Sequence, residues 1–295
     1  MVQRILITGV GGFIGSHLYE GLAGAYEVAC PGRSELDLLD MEAVRLFIER
    51  GQFDQVLHAA TWNATAMARR DPSLAFERNL KMFFNLVRCE GAYGRLIHFG
   101  SGAEFSREHW HARLTENELG HHVPKDDYGL SKLIIARHSN CLPWALNLRL
   151  FGVFGPREDM RIRFISSNAC RGLRGEPLCL RQDRRFDYLH VDDVVAAVAQ
   201  VLERPELSGT FNLCRGEGTL LSDIAAMILE SLGLRLPVHI EAPGEDLEYS
   251  GSNEAFRTVM QTWSPHSLQD GVFQQVRWLQ ENQAHRITDS PSPGP

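Results

Sequence analysis

Ile5-Leu6-Ile7-Thr8-Gly9-Val10-Gly11-Gly12-Phe13-Ile14-Gly15 runs from three apolar residues through a glycine turn into an amphipathic segment. The apolar triplet reads as a short buried strand. Phe13, Ile14, His17, Leu18 and Leu22 then share one helical face, which predicts a helix over 12–24. Strand, glycine turn and helix in that order aim the unpaired N–H groups and the dipole of a helix N-terminus at the turn, where a pyrophosphate would sit. Gly9, Gly12 and Gly15 would serve a tight turn, close approach of backbone to phosphate, and close helix–strand packing. The spacing is G-x-x-G-x-x-G rather than G-x-G-x-x-G, so an ordinary tight turn stays open until the rest of the chain is read.

Outward from that stretch, strands and helices alternate. Residues 26–30 read as a second strand stopped by Pro31-Gly32, 56–60 as a third, 95–99 as a fourth and 145–150 as a fifth. Between them lie helical patterns around Val44, Phe47 and Ile48, over 71–90, and from about Tyr128. Alternation of this kind implies right-handed crossovers and an α/β fold with a Rossmann-type, doubly wound parallel sheet. The second half is less regular. Helices are predicted over 162–173, 191–202, 220–232 and 268–279, with a short strand at 211–213, as suits a smaller α+β lobe beside the sheet. The expected division is a Rossmann domain over 1–151, to which 191–214 returns, and a second lobe over 152–190 and 215–285. The polar, proline-rich stretch 286–295 is expected to be disordered.

With 44% hydrophobic residues, 295 residues can bury one extended core or two intimate ones. A net charge of −7 leaves no basic footprint for nucleic acid. No apolar run approaches a membrane span, and the first strand starts too early for a signal peptide to precede it. Cys30, Cys89, Cys141, Cys170, Cys179 and Cys214 show no C-x-x-C pairing. Together these predict a reduced, cytoplasmic protein with no structural metal, no membrane partner and no nucleic-acid partner.

Two further stretches carry chemistry. In Tyr128-Gly129-Leu130-Ser131-Lys132, a tyrosine and a lysine four apart share a helix face. A nearby ammonium favours phenolate, which makes Tyr128 a candidate general acid/base, and the same lysine can hold a cofactor ribose. Ser101, in Phe99-Gly100-Ser101-Gly102-Ala103, ends a predicted parallel strand, the edge where open α/β sheets bind ligands. There a serine can hydrogen-bond a substrate hydroxyl or carbonyl. His109, His111, His121 and His122, in the loop between these stretches, are expected to be solvated, because no carboxylate or cysteine stands at ligand spacing.

In the order glycine turn, strand-end serine, Y-x-x-x-K, the chain resembles the extended short-chain dehydrogenase/reductases, in the NAD(P)-dependent nucleotide-sugar epimerase/dehydratase/reductase branch. The resemblance continues through His58-Ala59-Ala60, Asp71-Pro72, Asn79, Phe154-Gly155-Pro156, the run from Phe186 to Asp193, and Phe211-Asn212. It implies a nucleotide-diphosphate sugar substrate and a catalytic set of Ser101, Tyr128 and Lys132. It also implies a cofactor pocket in which Phe13, Ile14, Ala59, Ala60, Asn79 and Phe151 join the glycines, with Asp37 and Leu38 near the adenine. Pairing of the helices after Asp71 and after Tyr128 across a homodimer is implied as well.

Within the family, 4,6-dehydratases resemble one another in carrying an acid within two positions after the strand-end Ser/Thr. Here those positions are Gly102 and Ala103, which transfer no proton. Glu104 follows and, on an extended segment, would face the other way. Ala103 also replaces the cysteine found in the epimerase-reductases that make GDP-fucose. Hydride transfer with the tyrosine remains: reduction of a keto-sugar, or 4-epimerisation. At the end of the second strand, where NAD-preferring relatives place an aspartate, the chain has Pro31-Gly32-Arg33-Ser34. An arginine there suits the 2′-phosphate of NADP. On the substrate side, Phe186 replaces the arginine that contacts diphosphate in UDP-galactose-type epimerases. Arg184 and Arg185 stand just before it, and Gly152 replaces a frequent asparagine. The expected function is therefore NADPH-dependent reduction of a nucleotide-linked 4-keto sugar. A 4-epimerase holding NAD is the alternative, and a non-catalytic NADP sensor the alternative of another class.

Overall fold

The computed structural model describes residues 2–62 and 71–283; the stretch expected to be disordered, 286–295, lies outside them. Five strands of a six-stranded sheet, β1 (Arg4–Thr8), β2 (Glu27–Ala29), β3 (Gln55–His58), β4 (Arg95–Ser101) and β5 (Ala145–Leu150), are interleaved with four helices. These are α1 (Phe13–Leu22), α2 (Met41–Gly51), α3 (Ala75–Val87) and α4 (Asp127–Ser139). The remaining elements are β6 (Gly152–Phe154), α5 (Phe164–Leu173), β7 (Leu178–Asp183), β8 (Arg185–Phe186), β9 (Tyr188–His190), α6 (Val191–Leu202) and β10 (Gly209–Leu213). Then follow β11 (Thr219–Leu220), α7 (Leu221–Leu232), β12 (Val238–Glu245), α8 (Glu254–Val259) and α9 (Leu268–Gln283).

The large sheet is parallel throughout, in the order β10-β5-β4-β3-β1-β2. From β1 the chain leaves to one side for β2 and returns to the other for β3. The carboxyl ends of β1 and β3 therefore open a crevice at the point where the winding reverses. Side chains alternate across the sheet. Ile5, Ile7 and Leu57 pack with α1 and α6, whereas Leu6, Val56 and Leu96 pack with α2, α3 and α4. A separate apolar core joins α5, α7 and α9.

The doubly wound sheet and most helices lie where the sequence predicts. Two predictions change. The helix expected over 71–90 opens as a 3-10 turn, Pro72–Leu74, capped by Asp71, and is α-helical only over Ala75–Val87. After Ser101 the chain does not stay extended but folds into a 3-10 turn, Gly102–Glu104. The strands missed by sequence reading form three small pairs, β6 with β9, β7 with β12 and β8 with β11. Among the described residues no helix is long and apolar enough to cross a membrane.

The 3-10 turn drives Glu104 inward, where it meets Arg149 of β5 with both side chains fully buried and Oε2 accepting from Nε at 2.6 Å. Breaking a buried pair strands a charge, at a cost of about 3–5 kcal/mol. Arg149→Met should lower the unfolding free energy by about that amount in urea titration. A loss below about 1 kcal/mol would show that the pair contributes no more than an exposed one.

Candidate active site

The crevice begins at the glycine turn. Gly9 has φ +77°, and a Cβ there would stand 2.5 Å from the Ala60 nitrogen beyond β3. A Cβ on Gly15 would stand 2.2 Å from the Gly9 carbonyl oxygen, so α1 comes against the turn only with glycine at both positions. Gly12 donates to the Gly9 carbonyl at 2.9 Å and precedes Phe13 as the helix cap. No side chain caps α1 and its first turn holds no acid, so its N–H groups and dipole are left for an anion. Ala59 and Ala60 wall the opposite side. This cradle, which a Cβ would fill, fits a dinucleotide pyrophosphate.

Arg33 extends from the loop after β2 with about two-thirds of its side chain exposed and a loose 4.0 Å approach to Asp37. Among the described residues it has no tighter ion pair. Leu38 is buried, and its carbonyl accepts from Asn85 at 2.8 Å. Asn79 is buried too. Its Oδ1 accepts from the Trp62 N–H at 2.6 Å and its Nδ2 donates to Ser131 at 3.3 Å, so it braces the crevice wall.

Ser101 ends β4, and Asp126 caps α4 by accepting from the Gly129 N–H at 2.8 Å, which sets Tyr128 in the first helical turn. A Cβ on Gly129 would stand 2.6 Å from the Ala103 carbonyl, so the helix touches the serine turn directly. Lys132 is buried, donates to the Phe99 carbonyl at 2.8 Å and lies 5.9 Å from the Tyr128 ring centroid. The structure thus brings Ser101, Tyr128 and Lys132 together at the carboxyl edge of β4. Glu104 is kept from them by burial against Arg149 rather than by strand alternation.

Two histidines lie beneath Lys132. His58 pairs with the Thr8 hydroxyl at 2.8 Å, and His98 with the Ser139 hydroxyl at 2.8 Å. Burial, then the charge of Lys132, pushes His58 down to about 3, and the same causes hold His98 well below its ordinary value. Both are neutral in the folded protein.

The substrate-side residues separate. Arg184 pairs with Asp246, and burial followed by the charges of Arg181 and Arg107 lowers its pKa. Arg185 turns away, reaching the Gly218 carbonyl at 3.5 Å from an exposed position. Gly152 is buried, and a Cβ there would strike Asp187 and Phe186 at 2.6 Å, so in the structure it serves packing. Phe151 packs against Tyr249, with ring centroids 5.1 Å apart. In the histidine loop, His109 and His122 stack at 3.6 Å and His111 meets Glu118 at 2.7 Å. Sequence reasoning did not find Arg107, Arg181 or Tyr249. Each is an isolated residue whose place depends on tertiary packing.

Known proteins resemble the chain in sequence and in fold. The model of the NAD dependent epimerase/dehydratase family matches residues 5–214. The chain is 30% identical to the GDP-6-deoxy-D-mannose reductase of Pseudomonas aeruginosa, over 78% of this chain and 83% of that protein. It superimposes on a GDP-L-fucose synthetase of Naegleria fowleri bound to NADP with a TM-score of 0.81 at 16% identity, covering 96% and 94% of the two chains. The UDP-glucose 4-epimerase of Thermus thermophilus, in complex with NAD, gives 0.76 at 26% identity, covering 95% and 99%.

Because His58 and His98 take up protons only on unfolding, stability is full above the unfolded-state value of 6.5 and falls as pH drops toward their folded values. Below 6.5 each should steepen the decline by up to about 1.4 kcal/mol per pH unit. Urea unfolding from neutral to mildly acidic pH checks this, and His58→Gln should flatten the slope whatever its effect on stability at neutral pH. An unaltered slope would exclude His58 as a source.

Proposed function

The chain belongs to the NAD dependent epimerase/dehydratase family, and from that premise we propose that it is an NADPH-dependent nucleotide-sugar 4-ketoreductase. The observation that carries this reading is the proton inventory around Ser101. Gly102 and Ala103 have no titratable group, and Glu104 is fully buried in its pair with Arg149. No carboxyl group at the turn is free to expel water from the sugar or to invert a neighbouring carbon. Hydride transfer assisted by one phenol is the chemistry such a site supports. Similarity to a GDP-6-deoxy-D-mannose reductase points the same way. The division into a cofactor domain, 1–151 with 191–214, and a substrate lobe, 152–190 with 215–285, belongs to this proposal. So does a homodimer formed through α3 and α4.

In this mechanism the glycine turn seats the pyrophosphate, Arg33 meets the 2′-phosphate, and Lys132 holds the nicotinamide ribose. The bound dinucleotide supplies the hydride. Ser101 donates a hydrogen bond to the sugar carbonyl oxygen, and Tyr128 gives that oxygen its proton as the carbon is reduced. Arg107, Arg181 and Arg184 suit the substrate diphosphate.

The second reading, a 4-epimerase that keeps NAD bound, draws on the 26% identity to a UDP-glucose 4-epimerase. A non-catalytic sensor has less support, because both Tyr128 and Lys132 are retained. Incubation with UDP-, dTDP-, GDP- and CDP-linked 4-keto sugars should oxidise NADPH with one of them. Interconversion of epimers without net NADPH consumption would favour the epimerase, and tight NADPH binding with neither reaction would favour the sensor.

Tyr128→Phe should lower kcat by about 100-fold or more while NADPH titration by fluorescence stays near wild type. A near-normal kcat would remove Tyr128 from the mechanism. Arg33→Ala should weaken NADPH about 10-fold and leave NADH affinity unchanged. An unchanged preference would leave Arg33 without its role.

A further inference from the structure

The loop between the serine turn and α4 encloses a cavity of about 250 Å³. Its floor is apolar: Phe105, Trp110 and Leu114 line it and are buried. Its wall is built of imidazoles. His109 and His122 lie face to face, with rings parallel to within 4° and centroids 3.6 Å apart, and both are exposed. His109 turns Nδ1 to the Ser106 hydroxyl at 3.4 Å. Among the described residues neither its Nε2 nor either ring nitrogen of His122 has a hydrogen-bond partner. His111 and Glu118 complete the lining as a committed pair. His111 meets the Ala112 carbonyl at 3.0 Å and Glu118 at 2.7 Å, and Glu118 also accepts from the Thr115 N–H and hydroxyl at 2.8 and 2.9 Å. The reduction scheme leaves this cavity unused. The ring of Tyr249 stands between it and the serine turn, because Trp110 packs on that ring at 4.0 Å and its hydroxyl fills the space beside Gly102.

The donor set decides what could bind. A metal ion needs lone pairs that converge, and two parallel stacked rings hold theirs in separate planes. Among the described residues no three histidine, cysteine or carboxylate groups are placed to hold one. An anion would face the Glu118 carboxylate in the wall. A wholly apolar ligand would strip water from the free imidazole nitrogens without replacing its hydrogen bonds. A neutral polyol avoids each of these costs. Every hydroxyl can both give and accept a hydrogen bond, as can a neutral imidazole. The C–H flank of a sugar ring matches the apolar floor. The volume lies just under the about 300 Å³ at which pockets for drug-sized ligands begin, which is room for one ring and not for a dinucleotide. We propose that the cavity is a saccharide-binding site, separate from the reaction centre, in which one neutral pyranose ring lies over Phe105, Trp110 and Leu114 with hydroxyls on His109 and His122. The competing account is a loop whose imidazoles hold only water.

In the full chain labelled with nitrogen-15 at tryptophan, the Trp110 indole signal reports on the floor, and Trp110→Phe identifies it. Titration with the methyl pyranosides of mannose, rhamnose and galactose should shift that signal saturably, with a Kd on the order of 1 mM for the best of them. Glycerol, inorganic phosphate and zinc should leave it in place. His122→Phe keeps a flat ring on His109 and removes both nitrogens. It should weaken the best pyranoside about 5- to 10-fold, the loss of one hydrogen bond, with the thermal midpoint near wild type. Ser101→Ala combined with Tyr128→Phe should leave the affinity unchanged. No shift with any pyranoside at about 100 mM would overturn the proposal, as would an equal response to glycerol. Saturation by zinc or phosphate alone would replace the saccharide by a metal or an anion. Undiminished affinity in His122→Phe would remove the imidazole wall from the account. Loss of affinity in the Ser101 and Tyr128 variant would place the sugar at the reaction centre instead. None of these readouts requires turnover, so the outcome is independent of the reductase reading.

Discussion

The buried pair of Glu104 and Arg149 is the constraint to which the active-site edge is fitted. Two charges removed from water are costly, and good pairing geometry with further hydrogen bonds offsets much of that cost. Glu104 takes the Arg149 Nε–H on one oxygen and the Ser101 N–H, at 3.0 Å, on the other. Arg149 donates through Nη1 to Asn212 of β10 at 2.8 Å and lies over the Phe105 ring at 4.7 Å, while its buried Nη2 has no hydrogen-bond partner among the described residues. Asn212 passes the connection on, donating to the carbonyls of Leu114 and Ser252 at 2.8 and 3.1 Å. One carboxylate thus joins the serine turn to β5, β10, the histidine loop and the segment beyond Tyr249.

That joint decides which chemistry the edge can hold. An acid in the turn would ordinarily be a proton carrier, but here it is committed to the backbone of Ser101 and to Arg149. The titratable groups beneath Lys132 are equally committed, since His58 and His98 are neutral and occupied by hydroxyl partners. Lys132 consequently meets no competing positive charge from these two rings, and its hydrogen bond to the Phe99 carbonyl aims the ammonium along the α4 face that carries Tyr128. Beside that ammonium, the proton donors that Ser101, Tyr128 and Tyr249 bring to the edge are all hydroxyls.

Legibility in the sequence follows the range of the interactions. The glycine turn, the alternating strands and Y-x-x-x-K are local, and their periodicities carried the sheet and the placing of Ser101, Tyr128 and Lys132. The short pairs β6 with β9 and β7 with β12 are not local. Short strands joined across long separations leave almost no periodic signal. Glu104 was assigned its direction from strand alternation, and a single 3-10 turn replaced that rule. The outcome, an acid withdrawn from the site, was the same for a different physical reason.

Gly9 and Gly102 show how far a glycine can be read. Gly9 sits in a motif, so the backbone it must admit, Ala60, is predictable from the fold alone. Gly102 sits beside a catalytic candidate with no motif of its own, and from sequence it registers only as a missing acid. In the structure the missing side chain is the room required by Tyr249. A glycine adjoining a functional residue therefore marks either a backbone that needs freedom or a neighbour that needs space. Gly102 has an ordinary negative-φ backbone, so the second applies. What reads as a deletion beside the candidate serine is the imprint of a side chain supplied by another part of the chain.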